Sequence, residues 1–250
     1  HINWPSYYTS YGWWRNQNGE IKNNSYDTSL INIKSYFEKA KSYYENSKAI
    51  DLEFNATKSL FTGEKNLYIH VNHAKDIRES ITYFNNIGIK KIVIIGGKDA
   101  LNAIEILKKE NIPIILERIH SLPSNEDASI DEFYTLPAKL EKEGILFALS
   151  YQGDMEAMGS RNLPFTAGTA VAYGLETEKA ISAITLNPAI ILGIEKTSGS
   201  IEKGKHASFF ISNGDALDIR TNQVESAYIK GKKVNLKNHQ KELFEKFKNH

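Results

Sequence analysis

Hydrophobic and polar positions in the first part of the chain follow the period of helices. From Ser29 to about Ser47, apolar residues recur every three or four positions, which predicts an amphipathic helix. A second, shorter helix is predicted over 52–61. Residues 1–28 are rich in Tyr, Trp, Asn and Ser and show no clear period, so we expect an irregular aromatic segment that packs against the fold.

Short apolar runs alternate with helical patterns over the next hundred residues. The runs have the length and β-branched content of strands and cover 66–71, 90–95, 112–116 and 145–150. Helical patterns separate them over 76–86, 99–110 and 131–143. Strands that are apolar throughout and separated by helices indicate a parallel sheet covered on both faces.

The period changes again in the last part of the chain. Helices are predicted over 166–173 and 177–192. The residues 206–212 and 223–234 then have the pattern of strands in an antiparallel unit. A lysine-rich amphipathic helix is predicted over 236–248.

Composition excludes several classes of function. Hydrophobic residues make up 41% of the 250 and charged residues 24%, as in an ordinary folded protein. The net charge is only +1 and few of the basic residues are Arg, so nucleic acid is a poor candidate partner. The chain has no cysteine, which excludes disulfides, thiolate zinc sites and a cysteine nucleophile. Any metal must therefore bind to His and carboxylate side chains.

Targeting signals are not visible in this sequence. No apolar run approaches the roughly 20 residues that span a bilayer, so no membrane span is predicted. The chain opens with His1 and shows no signal-peptide pattern, and we expect its true start to lie upstream. The sequence does not identify the cellular compartment of the protein, although the lack of thiols is compatible with a secreted or periplasmic protein.

Two motifs near the end of the chain carry a family resemblance. They read TLNPAIILG over 185–193 and GSIEKGKHA over 199–207. In order and spacing they resemble the C-terminal signature of the imidazolonepropionase-like metal-dependent amidohydrolases. The resemblance covers about residues 66–236, and 228–234 resembles the closing strand of the family's small β-sandwich.

The resemblance implies an α/β fold that corresponds to the C-terminal half of a (β/α)₈ TIM-like barrel, strands 5 to 8, with strands of a small β-sandwich. On this interpretation, residues 1–195 form an aromatic-rich N-terminal segment and a half barrel, 196–236 form the sandwich strands and 237–250 form a C-terminal helix. A half barrel leaves two unpaired strand edges. We therefore expect an N-terminal half as partner, supplied by the same precursor or by a separate chain.

The resemblance also implies a metal-dependent hydrolase that acts on non-peptide carbon–nitrogen bonds of a small-molecule substrate. The expected cofactor is a divalent metal, with zinc favoured, bound where the barrel strands end. His70 matches the family's strand 5 histidine and is the first metal-ligand candidate; a polar loop residue is the alternative. His120 is a second metal-ligand candidate, with loop capping as the alternative.

Further candidates come from the loops that follow the predicted strands. Asp154 is the catalytic candidate. The alternative, which is more common for an aspartate in such a loop, is a solvent-exposed turn residue. The predicted pocket residues are His73, Gly96, Gly97, Phe165 and Gly168.

Two positions depart from the family pattern. Gly96 and Gly97 stand where a strand 6 histidine is expected, and Ser150 and Tyr151 stand where a strand 8 aspartate is expected. These departures favour an alternative, namely a catalytically degenerate amidohydrolase-like protein that serves binding or assembly and holds no metal. A backbone cradle for an anion at the two glycines is a weaker interpretation, because the spacing of a phosphate loop is absent.

Overall fold

The computed structural model describes residues 1–9, 21–46, 49–124, 127–151 and 156–248. The helices in these ranges are α1 Tyr26–Asn46, α2 Leu52–Phe61, α3 Ala74–Ile87, α4 Ile104–Lys109, α5 Glu132–Lys142, α6 Glu156–Gly159, α7 Leu163–Ala172, α8 Thr177–Ile184, α9 Leu186–Leu192 and α10 His239–Phe247. The strands are β1 Ile2–Asn3, β2 Tyr8–Thr9, β3 Ile21–Lys22, β4 Leu67–Val71, β5 Ile92–Gly96, β6 Ile114–Leu116, β7 Phe147–Leu149, β8 Phe209–Ser212, β9 Val224–Ile229 and β10 Lys232–Lys233.

A five-stranded parallel sheet forms the centre of the fold, in the order β1-β4-β5-β6-β7. The four apolar runs supply β4 to β7, as the sequence predicts. The segment 1–28 was predicted to be irregular, and that prediction was wrong at its strands. The strands β2 and β3 pair with each other in a separate antiparallel sheet. The strand β1 joins the central sheet, where Ile2 and Asn3 pair with Ile69 and His70. Two residues are too few to show a period, so only their pairing with β4 makes them a strand.

The two faces of this sheet are covered differently. Leu67, Ile69 and Val71 of β4 are buried in the main hydrophobic core, whereas Tyr68 and His70, which alternate with them, are only half-buried. A smaller cluster lies apart from that core and consists of Val93, Ala148 and Ile191, with Tyr68, Ile115 and Leu146 beside it. The sequence predicts cover on both faces, but the described residues cover one face fully and the other in part.

The aromatic N-terminal segment packs against α3. Trp4 is buried against Tyr83 and Phe84, and its backbone amide donates to the His70 carbonyl at 3.1 Å. Phe37 of α1 meets Phe84 edge-on at 4.9 Å. The expectation that this segment packs against the fold is therefore confirmed for its described residues.

The predicted helix over 177–192 is two helices, α8 and α9, which meet at Thr185. The backbone of Thr185 is not helical, with φ −131° and ψ −79°. Pro188 lies three residues further on and has no amide hydrogen to donate to the preceding turn, so a continuous helix loses a hydrogen bond there. The Asn187 side-chain amide donates to the Phe147 carbonyl at 2.8 Å, which fixes the start of α9 against β7.

The last described part of the chain contains a separate antiparallel sheet in the order β10-β9-β8. Phe209 and Tyr228 pair across β8 and β9, and their rings stack at 5.0 Å. Gly231 has φ 79° in the tight turn between β9 and β10. The antiparallel unit agrees with the sequence pattern, and the division of the chain into three parts stays a prediction.

No helix among the residues that the structure describes has both the length and the apolar character needed to cross a membrane.

Candidate functional site

His70 lies one residue before the end of β4, on the half-covered face of the sheet. Strand alternation places it on the same face as Tyr68. Its Nε2 is 3.1 Å from Nδ1 of His1, and the His1 ring stacks on Tyr68 at 4.7 Å. One of the two ring nitrogens must donate in such a pair, so the contact requires complementary tautomers. Two imidazole groups therefore meet at the carboxyl end of this strand.

His73 occupies the N-cap position of α3. Its side chain makes no capping hydrogen bond, and its ring meets Tyr8 edge-on at 5.7 Å. The first amide of the helix, at Ala74, donates instead to Asp99 Oδ2 at 2.9 Å. His73 thus follows β4 by two residues and contacts the N-terminal segment.

Gly96 and Gly97 end β5 in a backbone conformation that favours glycine. Their φ angles are 104° and 66°. A Cβ on Gly96 would lie 2.6 Å from Oδ1 of Asn72 and 2.8 Å from the Val71 carbonyl oxygen. The close approach of β4 to this turn therefore requires a residue without a side chain.

The same turn does not support the anion-cradle interpretation. The amide of Gly97 donates to the Val71 carbonyl at 2.9 Å, and the amide of Lys98 donates to Asn72 Oδ1 at 3.2 Å. The amide of Asp99 donates to the Asn72 carbonyl at 3.0 Å. These three amides hold the turn against the end of β4, so they are not directed at a ligand.

His120 follows β6 and borders a cavity of about 440 Å³ between α7 and the loop over 215–219. The wall includes two other predicted pocket residues, Phe165 and Gly168. A Cβ on Gly168 would lie 2.2 Å from the Leu217 carbonyl oxygen, so glycine allows the loop to approach the helix. The structure therefore brings three of the predicted residues together.

The tautomer of His120 follows from its partner. Its Nε2 is 2.8 Å from the hydroxyl oxygen of Thr169, and that hydroxyl donates to the Phe165 carbonyl at 3.1 Å. Because a hydroxyl has one hydrogen, Thr169 must accept from His120, which places the ring proton on Nε2. Partial burial and the nearby Arg118 guanidinium lower the pKa of His120, so the neutral ring is favoured at neutral pH.

Two carboxylates that were not predicted also border this cavity. Asp215 accepts from the Leu217 amide at 2.8 Å, and Asp218 accepts from the Arg220 amide at 3.0 Å. These hydrogen bonds shape the loop, and the bond from Arg220 lowers the pKa of Asp218. Asp215 lies eight residues after the second family motif, and no pattern in the sequence indicated that it borders the same cavity as α7.

The fold and the site geometry can be compared with known proteins. The family model described as the amidohydrolase family matches residues 31–235, most of the chain. The chain belongs to the amidohydrolase family. This confirms the resemblance read from the two C-terminal motifs.

Two relatives of this amidohydrolase-family chain are imidazolonepropionases. The one from Flavobacterium johnsoniae is 31% identical over 151 residues, which are 58% of this chain and 33% of the relative. The one from Flavobacterium psychrophilum is 28% identical over 163 residues, which are 58% of this chain and 40% of the relative. The chain therefore spans well under half the length of the curated relatives it matches.

A solved structure agrees with this assignment. The crystal structure of an amidohydrolase from Thermotoga maritima MSB8 superposes with a TM-score of 0.71 at 27% identity. The match covers 82% of this amidohydrolase-family chain and 55% of that protein. The α/β fold with its parallel sheet is thus the amidohydrolase fold, and the match leaves a large part of the known structure without a counterpart.

Amidohydrolases are generally metal-dependent, so the donors in this chain can be tested against a metal site. Two imidazole nitrogens on one tetrahedral zinc ion lie about 3.3 Å apart, and those of His1 and His70 are 3.1 Å apart. Throughout the described ranges, however, no three His, Asp or Glu side chains are arranged to hold an ion. The described part of the chain supplies a pair of donors and does not complete a metal site.

The predicted site residues fall into separate places. His120, Phe165 and Gly168 share the cavity, whereas His70 and His73 belong to the end of β4 and do not line it. Gly96 and Gly97 pack beside that strand end. Asp154 lies outside the described residues. The catalytic and ligand roles of these residues stay predictions.

Proposed function

We propose that this chain is the C-terminal half of an amidohydrolase barrel and that an N-terminal half completes it. In this assembly it hydrolyses a non-peptide carbon–nitrogen bond in a small molecule. The proposal rests on the edges and on the exposed face of the central sheet. As far as the structure describes the chain, β1 and β7 are edge strands, and one sheet face is only partly covered.

The half-covered face has the character of a barrel interior. In a (β/α)₈ barrel, one sheet face packs on the surrounding helices and the other faces the barrel axis. Here Ile69 is fully buried on the helix side, while Tyr68, His70 and Ile115 on the other side retain exposed surface. Further parallel strands beside β1 and β7 would cover this surface and pair both edges.

The length comparison supports the same proposal. The match covers 55% of the Thermotoga amidohydrolase, so nearly half of that protein has no counterpart in this chain. The missing part is as large as the additional strands and helices of a complete barrel require. It is supplied by the same precursor or by a separate polypeptide.

We place the reacting group of the substrate at the carboxyl ends of β4 and β5, because active sites of such barrels lie at that end. His70 is the proposed ligand of a divalent metal, with zinc expected and His1 Nδ1 as a neighbouring nitrogen donor. The remaining ligands would come from outside the described residues. The cavity beside His120 receives no catalytic role in this proposal, since His70 does not line it.

A degenerate binding protein is not favoured over a hydrolase. Gly96 cannot supply the histidine ligand that is expected on strand 6, but the relatives that match the chain are named as enzymes. The hydrolase proposal accommodates the glycine if the metal site has fewer protein ligands from this half of the barrel.

Native mass spectrometry of the protein isolated from its source tests the proposal, because it reports polypeptide partners and bound metal together. A mass above 28.3 kDa that carries divalent ions is expected. A His70→Ala variant should lose metal, whereas His206→Ala, a change at an exposed histidine before β8, should retain it. A lone 28.3 kDa chain without metal would contradict both the missing half and the hydrolase.

A further inference from the structure

The positive charge of the chain is concentrated in one segment. Residues 230–248 contain seven Lys and two Glu, a net charge of +5, whereas the whole chain carries +1. All the other residues together therefore carry −4. The segment includes the turn at Lys230, the strand β10 and the helix α10, and all seven lysines are exposed.

The helix α10 has an apolar face that is exposed to solvent. Leu243, Phe244 and Phe247 expose 41%, 65% and 54% of their surface, and no residue of the helix is buried. With Gln240, these residues follow the spacing i, i+3, i+4, i+7, so they share one side of the helix. Asn238 caps the helix by accepting from the Lys241 amide at 2.9 Å, which makes the element well defined.

Charged residues are arranged around this face in a particular order. At about 100° per residue, Lys241 and Lys248 flank the apolar face on one side and Lys246 flanks it on the other. Glu245 points away from the face and forms an ion pair with Lys248. A helix with aromatic and leucine residues on one side and flanking lysines has the composition of helices that lie in a membrane interface.

We infer that the segment 230–248 docks this protein onto an anionic phospholipid surface, with Leu243, Phe244 and Phe247 inserted among the lipids. Charge complementarity identifies the partner: the lysines attract an anionic surface, and the apolar face gains by leaving water. The segment has no Arg, the side chain best suited to phosphate contacts in nucleic acids, so a lipid surface is favoured over a nucleic acid.

Flotation of the intact chain with vesicles tests this inference. The chain is expected to float with vesicles of phosphatidylglycerol and phosphatidylcholine, and to float less as salt rises. It should not float with vesicles of phosphatidylcholine alone. The triple variant L243S/F244S/F247S and the triple variant K237E/K241E/K246E should each lower the bound fraction about tenfold, because stable anchoring needs both the apolar and the charged contribution.

Matched variants control for general effects of charge and polarity. K39E/K58E/K65E makes the same charge change at exposed lysines of other surfaces, and L122S/I130S removes exposed apolar side chains elsewhere. Both should float like the original chain. Failure of the original chain to float, or undiminished flotation of L243S/F244S/F247S, would overturn the inference. Binding to duplex DNA without binding to vesicles would overturn it as well.

Site-specific fluorescence gives an independent readout. Because the chain has no cysteine, Gln240→Cys and Glu245→Cys each provide one labelling position. An environment-sensitive fluorophore at position 240, on the apolar face, should brighten and shift to the blue with anionic vesicles. At position 245, on the opposite side, it should change little. Equal responses at the two positions would show that the apolar face is not the inserted side.

Discussion

The ring of His120 donates from Nε2 to the hydroxyl oxygen of Thr169, which in turn donates to the Phe165 carbonyl. This chain of hydrogen bonds joins the loop after β6 to α7 and fixes the histidine as the Nε2-protonated tautomer. The cavity wall is therefore positioned by a side-chain contact between residues far apart in sequence.

Thr169→Val should lower the free energy of unfolding by about 1 kcal/mol, because it removes the acceptor of the His120 hydrogen bond. Thr82→Val is a matched control. Thr82 also donates to the carbonyl four residues earlier, at 2.7 Å, but lies on an exposed helix surface. Urea unfolding measures both variants, and an equal loss in the two would show that the histidine contact contributes nothing to stability.

The pKa of His120 should lie below the usual value of about 6.5, because partial burial and Arg118 disfavour the charged ring. The unfolded chain then binds a proton at higher pH than the folded chain does. This contribution to stability is present above the unfolded-state pKa of about 6.5, and it is lost as pH falls from there through the lower folded-state pKa.

Titration of His120 by NMR checks the direction of this shift. Arg118→Gln should raise the midpoint, since it removes the neighbouring positive charge. A midpoint at or above that of an unfolded peptide would contradict the burial of the ring, and an unchanged midpoint in Arg118→Gln would contradict the role of the guanidinium.

Asp76→Asn should raise the free energy of unfolding at pH 7 by roughly 1 kcal/mol or more, because Asp76 is fully buried and one of its oxygens has no hydrogen-bond partner among the residues that the structure describes. Its other oxygen accepts from the Tyr7 amide at 3.1 Å, and an asparagine oxygen preserves that bond.

Burial raises the pKa of Asp76, so its contribution favours folding at low pH and is lost as pH rises through the folded-state pKa. Urea unfolding at pH 4 and pH 7 should show a smaller gain from Asp76→Asn at the lower pH. A gain of the same size at both values would contradict the raised pKa.

Gly96→Ala should destabilise the protein by about 3 kcal/mol, because the new Cβ meets both Asn72 and the Val71 carbonyl in a left-handed backbone conformation. Gly88→Ala separates these two causes. Gly88 has a similar φ of 101°, but nothing lies within 4 Å of its Cβ position, so about 1 kcal/mol is expected. Thermal unfolding of the two variants measures the difference between their losses of stability. Equal losses would show that backbone strain, and not the contact with Asn72 and Val71, causes the whole effect.

Long periodic segments of the chain were predictable because their patterns arise from burial on one side. The helix predicted over 76–86 is α3, which ends at Gly88 in the left-handed conformation of a C-cap. The break at Thr185 was not predictable from periodicity, since the apolar spacing continues across it. It follows from backbone geometry and from the bond between Asn187 and β7.

The candidate site was predictable only in part. Motif positions and strand ends indicated His70 and His120, and Phe165 and Gly168 were placed beside a pocket. Thr169 was missed, because a threonine in an apolar helix carries no local sign of a histidine partner. The contact of His1 with His70 was also missed, because it depends on β1, a strand that forms only by pairing with β4.

The glycine at the end of β5 restricts how this protein can evolve. A histidine at position 96 would need a left-handed backbone and would collide with Asn72 and with the chain at Val71. A side chain at this position therefore requires compensating changes in the turn and at the end of β4. A single substitution at this position is therefore expected to destabilise the fold, and a larger side chain is tolerated only together with changes at Asn72 and at the end of β4.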